Sequence, residues 1–248
     1  MRTGKLPLMI ITLALVAAAC STSTDSEMAA DAATGSTTTS ATTSTVPPGT
    51  VPSDYAGFLL QPTACGAQQP APVVEMQYEA PDDAGIAAPT TVTLTTSCGE
   101  IEILLDPQVA PETVNSFVFL AESGYFDGSV SHRVVPGFMM QAGDPTATGL
   151  GGPGYSVPDE YPDESDYRRG VVAMANAGPG TTGSQFFILF EDSLWLPPTF
   201  SIFGEVTEGF DTLDLIQQIP LGRGPTSPDR EPSTPVESLF IESVTVSG

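Results

Sequence analysis

The 248-residue chain has one histidine, seven basic residues and three cysteines, and each scarcity removes a class of chemistry. A nucleophilic triad needs a histidine base, and His132 is the sole one on offer. No G-x-S-x-G elbow precedes a helical pattern. Zinc sites draw on clustered Cys and His, and there is no such cluster. The glycine-rich GLGGPG at 149–154 lacks the Lys-Ser/Thr pair of a phosphate loop, which leaves it a turn. Thirty acidic residues could hide a carboxylate pair for glycoside hydrolysis, yet nothing singles two of them out. Only PDEYPDESDY (158–167) is dense in acids; it could hold a hard cation but reads first as a solvated loop. Beyond Cys20 five basic residues face thirty acidic ones, a formal charge of −25, so nucleic acid and anionic headgroups are poor partners.

Long apolar runs are also missing. LPLMIITLALVAAA (6–19) is fourteen residues, against the roughly 20 that a bilayer-spanning helix needs. It follows Arg2 and Lys5 and ends in small residues before Cys20, the layout of an export signal. That junction resembles the bacterial lipoprotein processing site, with Ala17 where the pattern prefers Leu. The resemblance implies a signal peptide over 1–20, a lipid on Cys20 and a protein anchored outside the cytoplasmic membrane; plain cleavage and free secretion is the alternative. Residues 21–54 contain 17 Ser or Thr among 34 positions and no aromatic or basic residue. Such a segment buries too little to offset its ordering entropy and reads as a disordered tether, with a reach of roughly 30 Å. A proline-rich lead-in (55–89) precedes a main domain over 90–248. In an exported chain Cys65 and Cys98 can pair, stapling the lead-in to the start of that domain.

TTVTLTTSCGEIEILLD (90–106) alternates apolar and polar residues on both sides of SCGE, the signature of a hairpin. In APETVNSFVFLAESGYF (110–126) the period changes, and Val114, Phe117, Val118 and Ala121 share a helical face that stops near Gly124. Short apolar stretches follow: SVSHRVV, FMMQAGD, RGVVAMANAG, GSQFFILF and SIFGEV. A second helix is expected over 207–219 and a closing strand over 238–246. No internal repeat is present. Seven or eight strands, with one helix early and one late, predict a mainly β fold: a closed or nearly closed antiparallel barrel with helices covering its ends, which avoids exposed sheet edges.

One reaction needs no nucleophile, proton shuttle or metal. Rotation about an X–Pro amide meets a barrier of about 18–20 kcal/mol because the bond is partly double. As it twists, the prolyl nitrogen recovers a basic lone pair. A catalyst then needs an apolar pocket for the ring, a fixed donor aimed at that nitrogen and contacts that hold the flanking peptide. Arginine is such a donor, permanently charged and rigidly forked.

The blocks SHRVVPGFMMQAGD, VVAMANAGPGTTGSQFFILF and WLPPTFSIFGEV, in that order and spacing, resemble the core of the cyclophilins, the cyclosporin-binding peptidyl-prolyl isomerases. The resemblance covers about residues 90–247 and implies an eight-stranded barrel with a helix at each end. It implies that Arg133 is the catalytic arginine and that Gln141 positions it and touches substrate. Phe138, Met139, Phe187 and Leu196 correspond to the proline pocket, and Ala175, Asn176 and Ala177 to the strand that binds the peptide backbone. Gln185 corresponds to a substrate-side amide, and Trp195 to the tryptophan that contributes to cyclosporin binding. His132 is expected to be structural. Two positions depart from the family. Ser131 replaces a Phe, which should loosen the packing behind the arginine, and Phe200 replaces a His or Tyr at the pocket rim. The secondary specificity pocket near 143–170 is left open. Taken alone, Phe138, Met139 and Phe187 read as barrel core, Arg133 as an ion-paired surface residue and Asn176 as a turn residue; their joint match in register favours a site. The expectation is an exported monomeric isomerase that needs no cofactor or metal, acts on proline-containing polypeptides and is inhibited by cyclosporin. The rival is a cyclophilin-like module that binds such segments as a tethered chaperone or adaptor.

Overall fold

The structure is a computed structural model that describes residues 50–225 and 227–247. The expected signal segment, Cys20 and residues 21–49 of the tether lie outside the described residues.

The main domain begins with the hairpin of β1 (Thr90–Thr96) and β2 (Gly99–Leu105), with Thr96 opposite Gly99. Strand alternation turns Val92, Leu94, Ile101, Ile103 and Leu105 inward, and all five are fully buried. Next is α2 (Pro111–Glu122), which ends where the pattern places its stop, with Gly124 just beyond the Ser123 C-cap at a left-handed φ of 72°. Its Ala110 N-cap has no side chain to offer the first N–H groups. Glu160 supplies the acceptors, taking the Glu112 N–H at 3.0 Å and the Thr113 N–H at 2.8 Å. The acidic stretch 158–167 therefore gives one of its carboxylates to a helix N-terminus.

The remaining elements are β3 (Ser129–Val130), β4 (Arg133–Val135), β5 (Met139–Ala142), β6 (Val171–Met174), β7 (Phe186–Leu189), β8 (Ile202–Glu208), α3 (Phe210–Ile216), β9 (Leu221–Gly222), β10 (Thr234–Pro235) and β11 (Phe240–Ser247). The second helix is shorter than 207–219: Thr207 and Glu208 continue β8, and Gly209, at φ 93°, turns the chain into α3. A Cβ at Gly209 would run into the Glu100 carbonyl.

The fold is mainly β and antiparallel. In place of a closed eight-stranded barrel, nine strands form one curled sheet ordered β3-β11-β1-β2-β8-β6-β7-β5-β4, and no ladder joins its two edges. Those edges are consecutive in the chain. SVSHRVV, read as one strand, changes partner midway: the Ser131 N–H bonds the Leu239 carbonyl beside β11, whereas Arg133 pairs with Gln141 on β5. Ser131 and His132 bridge the change. Strands β9 and β10 form a separate two-stranded ladder.

The two faces of the β4–β8 half carry different clusters. Val134, Met140, Ile188 and Val172 stand opposite one another across the ladders and join the main core, where Phe117 packs against Phe126, Phe186 and Phe203 at centroid distances of 5.1–5.4 Å. The neighbouring rows, Val135–Met139–Leu189 and Gln141–Phe187–Ala173, face the other way and build a second cluster with Tyr167 and Leu196. Residues 55–89 lie over the domain. The one-turn helix α1 (Tyr55–Phe58) leads in, the Tyr55 hydroxyl donates to the Gly128 carbonyl at 2.7 Å, and Ser238 bonds both Pro62 and Phe58 carbonyls. Cys65 and Cys98 form a disulfide that ties this segment to the β1–β2 turn. Among the described residues no helix is long and apolar enough to cross a membrane.

Candidate active site

Strand pairing sets Arg133 on β4 beside Gln141 on β5, and Gln141 beside Phe187 on β7, so all three project from the same face. A cavity of about 540 Å³ opens there. Arg133 and Gln141 form its polar side. Phe138, Met139, Phe187, Leu196, Phe200 and Trp195 form its apolar side, and Ala175 and Asn176 its edge. Met139, Phe187 and Leu196 are buried, whereas Trp195 is 69% exposed. The Trp195 ring leans on Phe138 at a centroid distance of 5.1 Å, and Phe200 meets Phe187 edge-on at 5.6 Å. The Tyr167 hydroxyl fixes Phe200 from behind, donating to its carbonyl at 2.9 Å and accepting its N–H at 3.1 Å.

Ala177 and Gln185 line an adjoining cavity of about 730 Å³ instead, which shares Gln141, Gly149, Leu150, Ala175 and Asn176 with the first. The other walls of this second cavity include the rest of the 149–156 turn, Thr181, Gly183 and Ser184, and Glu75 and Gln77 of the lead-in. Buried Asp144 shapes that turn, accepting from the N–H groups of Thr146, Gly149 and Gly151 at 2.7–3.1 Å. The Asn176 side chain is engaged, donating to the Thr199 carbonyl at 2.8 Å and accepting from the Gly178 N–H at 3.1 Å. Its backbone N–H and carbonyl have no partner among the described residues, which leaves them to an extended peptide. The Ala177 N–H is taken by Thr181 Oγ1 at 2.8 Å.

A polar chain runs through both cavities. Arg133 Nη1 donates to Gln141 Oε1 at 2.9 Å, Gln141 Nε2 donates to Gln185 Oε1 at 2.9 Å, and Gln185 Nε2 donates to the Gly149 and Gly151 carbonyls at 3.0 and 2.9 Å. On its other edge Arg133 meets a residue the sequence reading did not single out. Nε and Nη2 donate to the two carboxylate oxygens of Asp229 at 2.7 and 2.6 Å, and this partner holds the Asp229 carboxyl below the usual carboxylate range. Pro52 and Ser53, within the stretch read as tether, also line the first cavity, and Pro52 is buried. Neither Asp229 nor Pro52 carries a signal of spacing or periodicity.

Ser131 is fully buried, and its hydroxyl donates to the Gln141 carbonyl at 2.9 Å, so the polar side chain behind the arginine is used as a stitch to β5. His132 also lines the cavity, with an Nδ1 atom that is buried and unpartnered among the described residues. Burial pulls its pKa down to about 4, with Arg133 adding to the shift and Asp144 opposing it. The imidazole is therefore neutral at neutral pH, and the permanent positive charge in the cavity belongs to Arg133.

Comparison with known proteins gives one answer. The family model for the cyclophilin type peptidyl-prolyl cis-trans isomerase/CLD matches residues 91–246. The chain is similar to peptidyl-prolyl cis-trans isomerase B of Streptomyces anulatus, with 44% identity over 172 residues covering 62% of this chain and 94% of that protein. It is similar as well to the probable peptidyl-prolyl cis-trans isomerase A of Mycobacterium leprae, at 42% identity over 63% of this chain and 92% of the other. A crystal structure of a Cryptosporidium parvum cyclophilin type peptidyl-prolyl cis-trans isomerase matches with a TM-score of 0.58 and 31% identity, covering 64% of this chain and 98% of that one. A second structure of that protein, in the presence of the dipeptide Ala-Pro, matches with a TM-score of 0.58.

Proposed function

The chain belongs to the cyclophilin-type peptidyl-prolyl cis-trans isomerases, a family of enzymes, and we propose that it turns X–Pro bonds in exported polypeptides and so assists their folding outside the cytoplasmic membrane. The observation that carries the reading is Arg133: a permanent donor at the edge of a cavity whose other walls are Phe138, Met139, Phe187 and Leu196. A pyrrolidine ring on that apolar surface turns its nitrogen toward the guanidinium. As the amide twists, conjugation is lost and the nitrogen becomes an acceptor, so the N–H of Arg133 bonds the twisted state more strongly than either planar isomer. Such a bond is worth roughly 1.5–3 kcal/mol, or one to two powers of ten in rate. Positioning and exclusion of water from the apolar walls supply the rest. No proton is transferred and no cofactor takes part. The neutral imidazole of His132 is not asked to act.

Gln141 holds Arg133 and reaches the peptide, while the Asn176 backbone groups pair with the flanking residues. Ala177, Gln185 and the second cavity take a residue beyond the proline. Export follows in this proposal from the 1–20 segment, and Cys20 carries a lipid that anchors the protein to the outer side of the membrane.

A second reading, a peptide-binding chaperone with little turnover, draws on one observation: the guanidinium fork of Arg133 is already engaged by Asp229. Exchange NMR on a short X–Pro peptide decides between them. The isomerase reading expects acceleration by the wild-type protein that falls about 10- to 100-fold in Arg133→Ala while the peptide still binds. Binding without acceleration in the folded wild type leaves the chaperone.

A further inference from the structure

Among the described residues the guanidinium of Arg133 bonds Gln141 and Asp229, and Asp229 has no part in the mechanism above. We propose that Asp229 is a positioning residue for isomerisation: its carboxylate fixes the guanidinium of Arg133 so that the N–H groups left over face the proline cavity. The inference rests on the isomerase reading of that cavity.

A guanidinium has five N–H groups in a rigid plane. The Nε hydrogen and one on Nη2 go to Asp229, and one on Nη1 goes to Gln141. Two remain, one on each Nη atom. Without the carboxylate, a long side chain held by Gln141 alone keeps much of its rotamer freedom, and fixing it has to be done anew at each turnover. The two-point contact sets the plane in advance.

Asp229 is itself held. Its carbonyl accepts from Arg223 Nη1 at 3.0 Å, and its N–H donates to Ser227 Oγ at 3.3 Å. The Ser227 hydroxyl bonds that of Ser233 at 2.8 Å, and the Ser233 carbonyl takes the N–H of Val134, the neighbour of Arg133 on β4, at 2.8 Å. Arginine and carboxylate are thus closed into one ring of contacts that begins and ends on the same strand. Ser227, Pro228 and Ser233 of this loop also line the cavity, so the loop serves as wall and clamp together.

The environment separates this pair from ordinary surface pairs. Arg168–Asp166 has side chains 61% and 63% exposed, and Arg169–Asp214 37% and 54%, whereas Arg133 and Asp229 are 24% and 18% exposed. Exposed pairs contribute little. The carboxylate also draws down the charge of the arginine as seen by the substrate, which by itself would weaken the donor. Rate and binding measured separately show which effect governs.

The test compares the wild-type protein with Asp229→Ala and Asp229→Asn, reading kcat and KM by exchange NMR and Tm by calorimetry. Asp229→Ala should lower kcat about tenfold and leave KM within about twofold, because orientation acts on the twisted state more than on the bound peptide. Asp229→Asn, which keeps one carbonyl oxygen to accept a single N–H, should fall between. In an Arg133→Ala background, Asp229→Ala should cause no further loss of kcat. An unchanged or raised kcat in Asp229→Ala overturns the proposal, as does a loss of equal size in the Arg133→Ala background, which would mark a structural role. A wild type that is folded yet inactive sinks the isomerase reading and this inference with it. An active wild type with an equally active Asp229→Ala sinks the inference alone.

Discussion

Gln141 donates from Nε2 to Gln185 Oε1 at 2.9 Å while its Oε1 accepts from Arg133 Nη1 at the same distance, so one amide faces a donor on one side and an acceptor on the other. Gln185 cannot reverse without surrendering the Gly149 and Gly151 carbonyls that its own Nε2 serves. The polarity of the whole row is therefore set from the 149–151 turn to the arginine.

Gln141→Ala removes one of the two holds on Arg133 and should lower kcat/KM about tenfold. Gln141→Glu is nearly isosteric and offers Arg133 a stronger partner, yet it turns a carboxylate oxygen toward Gln185 Oε1. It should remain impaired, with weakened peptide affinity because Gln141 walls both cavities. Full activity of Gln141→Glu by exchange NMR would contradict the fixed polarity.

His132 gives the protein a pH-dependent stability. Its pKa is about 4 in the folded chain against an ordinary 6.5, so between these values the unfolded chain binds a proton that the native chain refuses. The contribution is full above pH 6.5 and is lost as the pH falls toward 4, on the order of 2–3 kcal/mol. Asp229 acts in a separate window: its folded pKa lies below 3.8, so its contribution is present above that value and is lost as the pH falls further. Guanidinium unfolding from pH 7 to pH 4 should show the slope in the wild type and a flatter line in His132→Phe. Between pH 6 and pH 8 the turnover should be level, since the imidazole is already neutral.

Glu160 caps a helix from 48 residues away in sequence. Replacing it with alanine leaves two N–H groups of α2 without an acceptor and removes a charge at the positive end of the helix dipole, a loss of about 1 kcal/mol. Glu160→Ala should lower Tm by about 2–4 °C, with Glu160→Gln in between. The site is built from other elements, so turnover at 25 °C should stay at the wild-type level.

Much of this was legible in the sequence because it rests on local pattern. The 90–106 alternation gave the β1–β2 hairpin, and the Val114–Phe117–Val118–Ala121 face gave α2. The Arg133 to Gln141 spacing, eight residues across a tight turn, fits two strands whose ends pair. Which face of those strands was core was not legible: VVPGFMMQAG is apolar on both faces, Met140 entering the interior and Met139 the cavity wall. Only the resemblance assigned Met139 to a site. The break at Ser131–His132 was hidden because a change of partner leaves no mark on alternation. Asp229 lies 96 residues from Arg133 in a loop of Pro, Ser, Gly and Arg, and only the closure of that loop against β4 brings them together. Pro52 was obscured in the same way, being buried by tertiary contact amid a composition that reads as tether.

The Cys65–Cys98 disulfide closes a sequence separation of 33 residues. Chain-entropy reasoning assigns such a link about 3–4 kcal/mol, through restriction of the unfolded chain. Reduction, or Cys65→Ser with Cys98→Ser, should lower Tm by roughly 10 °C. Neither cysteine lines the cavities, so activity below the transition should persist. An equal Tm for oxidised and reduced protein would show that the lead-in contacts alone hold residues 55–89 in place.

Trp195 is the only tryptophan in the chain and stands on the cavity rim, 69% exposed and leaning on Phe138. Its emission therefore reports on whatever enters the cavity. Cyclosporin covering the rim should remove water from the indole and shift the emission to the blue, saturating at the concentration that stops isomerisation. A small X–Pro peptide seated against Phe138 and Met139 should change it less. Trp195→Phe keeps an aromatic partner for Phe138 but loses the indole N–H and part of the contact area. Peptide turnover should then stay within about threefold of wild type while cyclosporin affinity drops about tenfold. Arg133→Ala should show the reverse, with little turnover and an intact fluorescence response to cyclosporin. Inhibition by cyclosporin with no change in emission would place the inhibitor away from Trp195 and would require another account of the exposed indole.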